Sequence, residues 1–565
     1  MYYNEHMSAK ASHWLRALRQ IISQRLGLNF AGFTLGCFFF CMSLTPSLLP
    51  RPWLYQGLIG GIAFILGYGV GLFISWLSRK IFRREPSAKV KDVAWLLVAI
   101  VAPVAIGIYL IKSFGWQNNI RPLIGEQPNN VRNYWGVLAV SSLLGTFLLL
   151  VTRGLRWCDR FIRHYTDRWV PRTVSAVTAL ALTVLVLFGI FRGILYNGLV
   201  DFSNNVYSSS NTTTVNGVKQ PMVNTRSGSP NSLVAWNSLG RQGRSFVAGG
   251  PTQSDLQKLS GQKPVQPVRV YVGVQSANTI KQRAALAVQE LKRSGGFDRK
   301  VVNVVVPTGT GWMNPQLVDS LEYLYNGDTA QVGVQYSYLP SWISFVVDKQ
   351  KAQTAGRELF NQVYDAWEQL PQDHRPKLVV TGLSLGSFGA QAAFSGEADL
   401  QNRTAGAIFM GTPNDTQLWR QFTQDRDAGS PQIQPTYNDG KTVRFGATVS
   451  AAANLHTTWN TPRVVYLQHP SDPIVWWSPQ LILNKPDWLK EPRGTDVVKN
   501  MNWFPFVTFA QVTIDQFFGV TAPNGHGHNY GDQTAQAWEA ILPSSFSSNE
   551  FNAKLNDIIS AYTDT

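Results

Sequence analysis

Apolar residues are distributed in two different ways along this chain, and the change falls near residue 200. Before it, five stretches stay apolar over lengths that approach or reach the roughly 20 residues a helix needs to cross a bilayer. They are 29–48, 54–77, 92–112, 133–151 and 173–198. Short charged or Pro-containing loops separate them, the pattern of a multi-span domain and not of a cleaved signal peptide. After residue 260 the pattern shortens. β-Branched runs at Val268–Gln275, Val301–Pro307, Ala330–Tyr338, Leu378–Gly382, Ala407–Gly411 and Val464–His469 read as strands. Helical patterns lie between them, such as 278–293, with its Ala284, Leu286, Ala287 and Leu291 face, and 351–370. Alternating strands and helices imply a mostly parallel sheet covered on both faces. The expected fold class is therefore α/β, preceded by a transmembrane helical domain of about five spans.

The two patterns set the domain boundaries: a helical membrane domain over 1–198, a linker and leading segment over 199–260, and an α/β domain over 261–565. Residues 203–232 are rich in Ser, Asn, Thr and Gly, and read as a flexible connector or a surface segment with little core potential. In the second apolar stretch, Gly57-xxx-Gly61 and Gly67-xxx-Gly71 would let helices approach closely. Residues 12–28 suggest a basic amphipathic helix lying on a membrane surface.

Charge follows the same division. The net charge is +16, yet residues 1–198 hold 21 Lys and Arg against 6 Asp and Glu, and the remainder holds 29 against 28. A nearly neutral α/β domain offers no footprint for a phosphate backbone, so nucleic-acid binding is a poor reading. Sixteen of the basic residues cluster in the leading segment and in the loops around 79–91 and 153–172. The positive-inside rule assigns these to the cytoplasm. With five spans, everything after about residue 199 would then be extracytoplasmic. The three cysteines all precede residue 160 and lack metal-ligand spacing. Neither a metal nor another cofactor is expected.

The fourth strand runs into Gly382-Leu383-Ser384-Leu385-Gly386, and an Ala-rich helical stretch follows. A serine nucleophile on a sharp strand-to-helix turn needs small residues two before and two after it, because larger ones collide across the turn. Ser384 is the candidate nucleophile. Chain order on such a fold then runs to an acid and a histidine. Asp472, just past the end of the last strand, is placed to orient a histidine ring, with Asp415 and Asp515 as lesser rivals. The base is expected in Gly525-His526-Gly527-His528-Asn529-Tyr530-Gly531; His528 is preferred for its Gly-x-Gly-His arrangement, and His526 is the alternative. An oxyanion needs backbone N–H donors. Leu385, directly after the nucleophile, should supply one, and the loop of Thr308, Gly309, Thr310 and Gly311 the other.

Several longer motifs accompany these: Thr45–Trp53, Trp236–Arg244 with Phe246–Thr252, Pro307–Trp312, Gln335–Trp342, Tyr466–Asp472 and Gly525–Gly531. With Gly382–Gly386 they make nearly the whole chain resemble a bacterial family of membrane-embedded α/β-hydrolases, which carry an N-terminal multi-span domain and a C-terminal catalytic domain. Ala235 and Asn237 stand where Pro and Asp would be expected, away from every candidate catalytic residue. The resemblance implies a hydrolase of the bacterial cytoplasmic membrane and leaves the substrate open. The expected activity is that of a serine esterase or lipase acting through an acyl-enzyme on a lipid or acylated substrate. An acyltransferase using the same residues and a non-catalytic membrane scaffold are the alternatives.

Overall fold

The computed structural model describes residues 27–82, 87–168 and 197–562, with scattered positions between 171 and 193. The chain divides into two compact units. One comprises Met1–Gly189 and Ser478–Phe518; the other comprises Ile190–Trp477 and Gly519–Thr565.

The first unit is built on α1 (Phe30–Ser43), α2 (Trp53–Phe82), α3 (Ala88–Ile120) and α4 (Tyr134–Thr166). Among the described residues, α2, α3 and α4 are long and apolar enough to cross a membrane. That is three where the sequence suggested five. The expected first span fails on length: α1 has 14 residues, so at 1.5 Å per residue it covers roughly 21 Å of a hydrocarbon core about 30 Å thick. Pro46, Pro50 and Pro52 follow it, and none can continue a helix. More than half of the expected fifth span lies outside the described residues, as does most of the 12–28 helix.

Both small-residue spacings in α2 are contact faces. A side chain at Gly57 or Gly61 would strike α4 at Val140 or Leu144, and one at Gly67 or Gly71 would strike α1 at Leu35 or Ala31. Ser141 on α4 donates to the Gly57 carbonyl at 2.8 Å.

The same unit takes in a segment from far along the chain. Helix Val507–Gly519 presents Gln511, whose Nε2 donates to the carbonyls of Ser43 (3.1 Å) and Thr45 (3.0 Å). It also presents Asp515, fully buried, which accepts from the Ser47 hydroxyl and the Leu48 amide and pairs with the Arg51 guanidinium at 3.6 Å. Val507 joins Phe40, Leu44, Leu110 and Val137 in one apolar cluster. The Thr45–Trp53 motif is thereby explained as the receptor for this segment.

The second unit holds a seven-stranded sheet of β1 (Val268–Val272), β2 (Val301–Val306), β3 (Thr329–Val334), β4 (Lys377–Leu383), β5 (Gly406–Met410), β6 (Val443–Gly446) and β7 (Arg463–Leu467). The order is β1-β3-β2-β4-β5-β7-β6, and every pair is parallel. All six expected strands are present. β6 is the addition, four residues long and without a β-branched run to signal it. Helices Ile280–Arg293, Lys349–Glu368 and Leu385–Gln391 pack in one group, and Pro315–Leu324, Thr534–Ile541 and Asn549–Ser560 in another. This is the arrangement expected when both faces of a parallel sheet need cover.

Residues 203–232 are not a flexible connector. Asn197–Thr212 is helical, and Thr225 to Ser227 run beside β1. There Ser227 N–H donates to the Arg269 carbonyl, and Arg269 N–H to the Thr225 carbonyl, both at 3.0 Å. Polar composition concealed this because the pairing uses backbone groups. The Trp236–Arg244 stretch serves the same end: Arg244 Nη2 donates to the carbonyls of Asn211, Thr212 and Thr213, closing the end of that helix. Beneath it, Arg269 is buried on β1. Its Nε and Nη2 each meet Glu322 at 2.8 Å, Nη2 also meets Asp319, and Nη1 donates to the Phe246 carbonyl.

Candidate active site

β2 and β4 are neighbours, although β3 lies between them in sequence and on the far side of β2 in the sheet. The winding direction reverses there, and the crevice beyond the carboxyl ends of such a strand pair is where α/β sheets bind ligands. Val306 lies opposite Gly382, Leu383 opposite Met410, and Met410 opposite Leu467. The register therefore brings the Thr308–Gly311 loop, Ser384, Gly411 and the turn leading to Asp472 to one end of the sheet.

Ser384 is 6% exposed and has φ +57° and ψ −125°, a conformation that L-residues seldom adopt. Its N–H donates to the Met410 carbonyl at 2.9 Å, and its carbonyl accepts from Phe388 at 3.0 Å as the helix begins. The flanking glycines are required by crowding. A side chain at Gly382 would meet the Gly386 backbone, and one at Gly386 would meet the Val306 carbonyl. Leu385 N–H, at the first helical position, has no intrahelical acceptor.

The loop after β2 is held from two sides. Tyr271 OH donates to the Gly311 carbonyl at 2.7 Å, and Gln335 Nε2 to the Thr310 carbonyl at 3.0 Å. Within it, Gly311 N–H donates to the Thr308 carbonyl and Thr308 N–H to the Trp312 carbonyl, both at 2.9 Å. Gly311 is thus a correction to the expected donor set, because the turn consumes its N–H. Gly309 and Thr310 keep theirs unpaired among the described residues.

Asp472 is fully buried and uses both carboxylate oxygens. Oδ1 caps the short helix Pro473–Trp476 by accepting from Ile474 N–H at 2.8 Å. Oδ2 accepts from Tyr530 OH and meets His528 Nδ1, each at 2.7 Å. One residue therefore performs both the capping and the histidine-orienting tasks its position allowed. The His528 ring lies against Gly411, where a side chain would overlap it, and its backbone N–H donates to the Gly519 carbonyl at 2.7 Å. His528 Nε2 is buried and has no hydrogen-bond partner among the described residues. His526 sits in the adjoining turn, with its N–H on the Pro523 carbonyl at 3.1 Å and its carbonyl accepting from Asn529. Of the two histidines, the one against Asp472 is His528. Asp415 pairs instead with Lys349 at 2.8 Å, and Asp515 belongs to the other unit.

Sequence reasoning missed the support around this pair. Tyr530 donates to Asp472 while its ring stacks on His469 at 4.0 Å and 8°. His469 Nδ1 meets the Gly527 carbonyl at 2.9 Å, and Ser471 Oγ accepts from Gly527 N–H at 2.9 Å. The signal was the length of the motifs: Tyr466–Asp472 and Gly525–Gly531 each hold more residues than an acid and a base require. Tyr336 and Trp476, close in sequence to strand ends, are buried.

Residues 268–555 match the model of an alpha/beta-hydrolase family, and residues 44–251 match the model of an alpha/beta-hydrolase family N-terminus. The chain belongs to the alpha/beta-hydrolase family. A parallel sheet with a serine on a strained strand-to-helix turn accords with that family's fold. No curated protein matches the chain. Among solved structures, a Trichoderma reesei cutinase in complex with a C11Y4 phosphonate inhibitor aligns over 47% of this chain and 97% of that chain. Its identity is 16% and its TM-score 0.19, too slight a likeness to bear on the hydrolase's site.

Proposed function

We propose that the protein is a membrane-anchored serine hydrolase that cleaves a carboxylic ester of a lipid or acylated substrate, with Ser384, His528 and Asp472 as its catalytic residues. The observation that carries this reading is the Asp472–His528 contact of 2.7 Å at the sheet end where Ser384 occupies its strained turn. With Nδ1 held by Asp472, the free Nε2 is the atom available to take a proton. It accepts the Ser384 hydroxyl proton as Oγ bonds to the ester carbonyl carbon. The carbonyl oxygen becomes an oxyanion, which the N–H groups of Leu385 and of Gly309 or Thr310 stabilise. Collapse breaks the carbon–oxygen bond to the alcohol, and His528 returns the proton to the departing oxygen. Water, deprotonated by His528, then attacks the acyl-enzyme and regenerates Ser384. Tyr530 OH and Ile474 N–H also donate to Asp472, which fixes the orientation of the carboxylate.

The three apolar helices support membrane anchoring, which would raise the local concentration of a lipid ester. Arg79 and Lys80 end α2, and Lys89 and Lys91 begin α3. The positive-inside rule assigns that end to the cytoplasm of a bacterial inner membrane. Helices α3 and α4 then bring the chain back to the cytoplasmic side at Thr166. The hydrolase unit lies outside only with the further crossing that the sequence suggests over 173–198.

A fluorophosphonate probe applied to membranes tests the chemistry. Labelling is expected in the wild type, abolished in Ser384→Ala and strongly slowed in His528→Ala, while His526→Ala labels normally. Undiminished labelling of Ser384→Ala would overturn the mechanism. Loss in His526→Ala with retention in His528→Ala would reassign the base.

A further inference from the structure

A second site lies in the other unit, among α1–α4. Where α1 ends, α2 begins, α3 ends and α4 begins, they line a half-open cavity of about 190 Å³. That exceeds the roughly 150 Å³ that accommodates a benzene ring in an apolar protein cavity. One part of the wall is apolar, with Leu44, Leu110, Phe114 and Val137. The rest carries Arg51, Gln56, Gln117, Arg121 and Arg132.

These polar groups are incompletely satisfied, and in a consistent sense. Arg51 is buried, with its Nη2 on the Thr45 carbonyl at 3.2 Å, but Nη1 has no hydrogen-bond partner among the described residues. Gln117 Oε1 accepts from Arg51 N–H at 2.8 Å, which fixes the amide and leaves Nε2 buried and unpaired. Gln56 Nε2 donates to the Ser43 carbonyl at 3.0 Å, leaving Oε1 unpaired. Arg121 Nε is also unpaired, although its Nη1 meets Glu126. Buried donors left unpaired cost free energy, and the remedy is an acceptor. Arg51 Nε, 3.6 Å from Asp515, has no hydrogen-bond partner either, so four of the five unpaired groups are donors.

Charge points the same way. Arg51 is balanced by Asp515 and Arg121 by Glu126. Arg132 stacks over Phe114 at 4.5 Å and has no carboxylate partner among the described residues. The site therefore carries one positive charge in excess. Neutral water would fill the space but leave that charge uncompensated. A singly charged oxyanion supplies both acceptors and charge, and the apolar wall provides for an attached acyl chain.

We infer that this cavity binds the headgroup of an anionic amphiphile, a phosphodiester or carboxylate carried on an acyl chain. It is separate from the hydrolytic chemistry proposed above and stands whether or not Ser384 is a nucleophile.

Native mass spectrometry of the full chain, purified in a neutral detergent, tests it with four additives. These are phosphatidylglycerol, palmitate, phosphatidylcholine and inorganic phosphate. Saturable retention of one phosphatidylglycerol or one palmitate is expected, and which of the two is retained identifies the source of the oxyanion. Arg132 is exposed and outside every ion pair described, so Arg132→Gln is expected to fold and to bind about tenfold more weakly, as loss of one charge-assisted contact predicts. Arg132→Lys should restore part of the affinity. Val137→Trp, which fills the cavity, should abolish binding. Equal retention of phosphatidylcholine, binding of inorganic phosphate alone, or unchanged affinity in folded Arg132→Gln and Val137→Trp would overturn the inference.

Discussion

The two units use glycine for opposite purposes. In the helical unit, Gly67 and Gly71 on α2 let α1 approach until a methyl group would strike the Leu35 or Ala31 carbonyl. Large apolar side chains such as Phe73 and Leu143 meanwhile face outward, 59% and 73% exposed. That is the pattern expected of helices in a lipid solvent, where apolar burial gives no reason to associate and close backbone packing must do it. The hydrolase unit inverts this. Its strands bury nearly every side chain, so the core follows from the hydrophobic effect. Its tight glycines, Gly382 and Gly386, are instead spent on holding one serine in a conformation its backbone would otherwise avoid. Small residues make cohesion in the first unit and hold the turn of a candidate nucleophile in the second.

Substitutions that separate cohesion from chemistry sharpen the contrast. The largest effect belongs to the reacting end of the sheet. His528→Ala should lower ester turnover on the order of 10⁴-fold or more, and Asp472→Asn about 10⁴-fold, with melting temperature little changed; a steady-state ester assay alongside thermal unfolding reads both. Next is Arg269→Ala, which strands Glu322 and Asp319 in the core. It should cost the hydrolase unit about 3–5 kcal/mol, seen as a lower denaturation midpoint. A normal midpoint would show that this buried network is dispensable. Gly71→Val should cost about 1–3 kcal/mol by overpacking, read as earlier thermal aggregation in detergent. If it is silent, α1 and α2 are not held by close approach.

The smallest effect is one of pH. Burial raises the Glu539 carboxyl from 4.5 to about 7. The folded state therefore holds this proton more tightly than the unfolded chain. Its contribution to stability is complete below pH 4.5 and disappears as pH rises through about 7. Glu539→Gln should flatten the fall in melting temperature between pH 5 and 8, and an unchanged slope would assign the fall to other groups.

Much of the hydrolase unit was legible because its signals are local. A β-branched run is a strand wherever it pairs, and the Gly382–Gly386 turn declares its own geometry. β6 escaped because Val443–Gly446 is too short to show a period. The order within residues 203–232 was hidden because composition reports side chains, whereas Thr225–Ser227 pair through backbone. The site shows the same division. Ser384, Asp472 and the histidine loop follow from order along the chain. The commitment of Gly311 N–H to its own turn, and the donation from Tyr530 to Asp472, depend on contacts across the fold. The assignment of 478–518 to the helical unit was likewise invisible, since nothing in its periodicity names Thr45 or Arg51 as its receptor.

That excursion has a consequence for biogenesis. The chain leaves the hydrolase unit after Asp472 and returns at Gly519, nine residues before His528. During synthesis the receptor around Thr45–Arg51 emerges long before the segment that occupies it, whereas the acid and the base emerge on either side of that segment. A catalytic fragment expressed without the first 189 residues would carry Val507, Gln511 and Asp515 with no place to bury them. Packing of residues 478–518 is thus tied to helices made long before them, so removing those helices is expected to disturb the segment that joins Asp472 to His528.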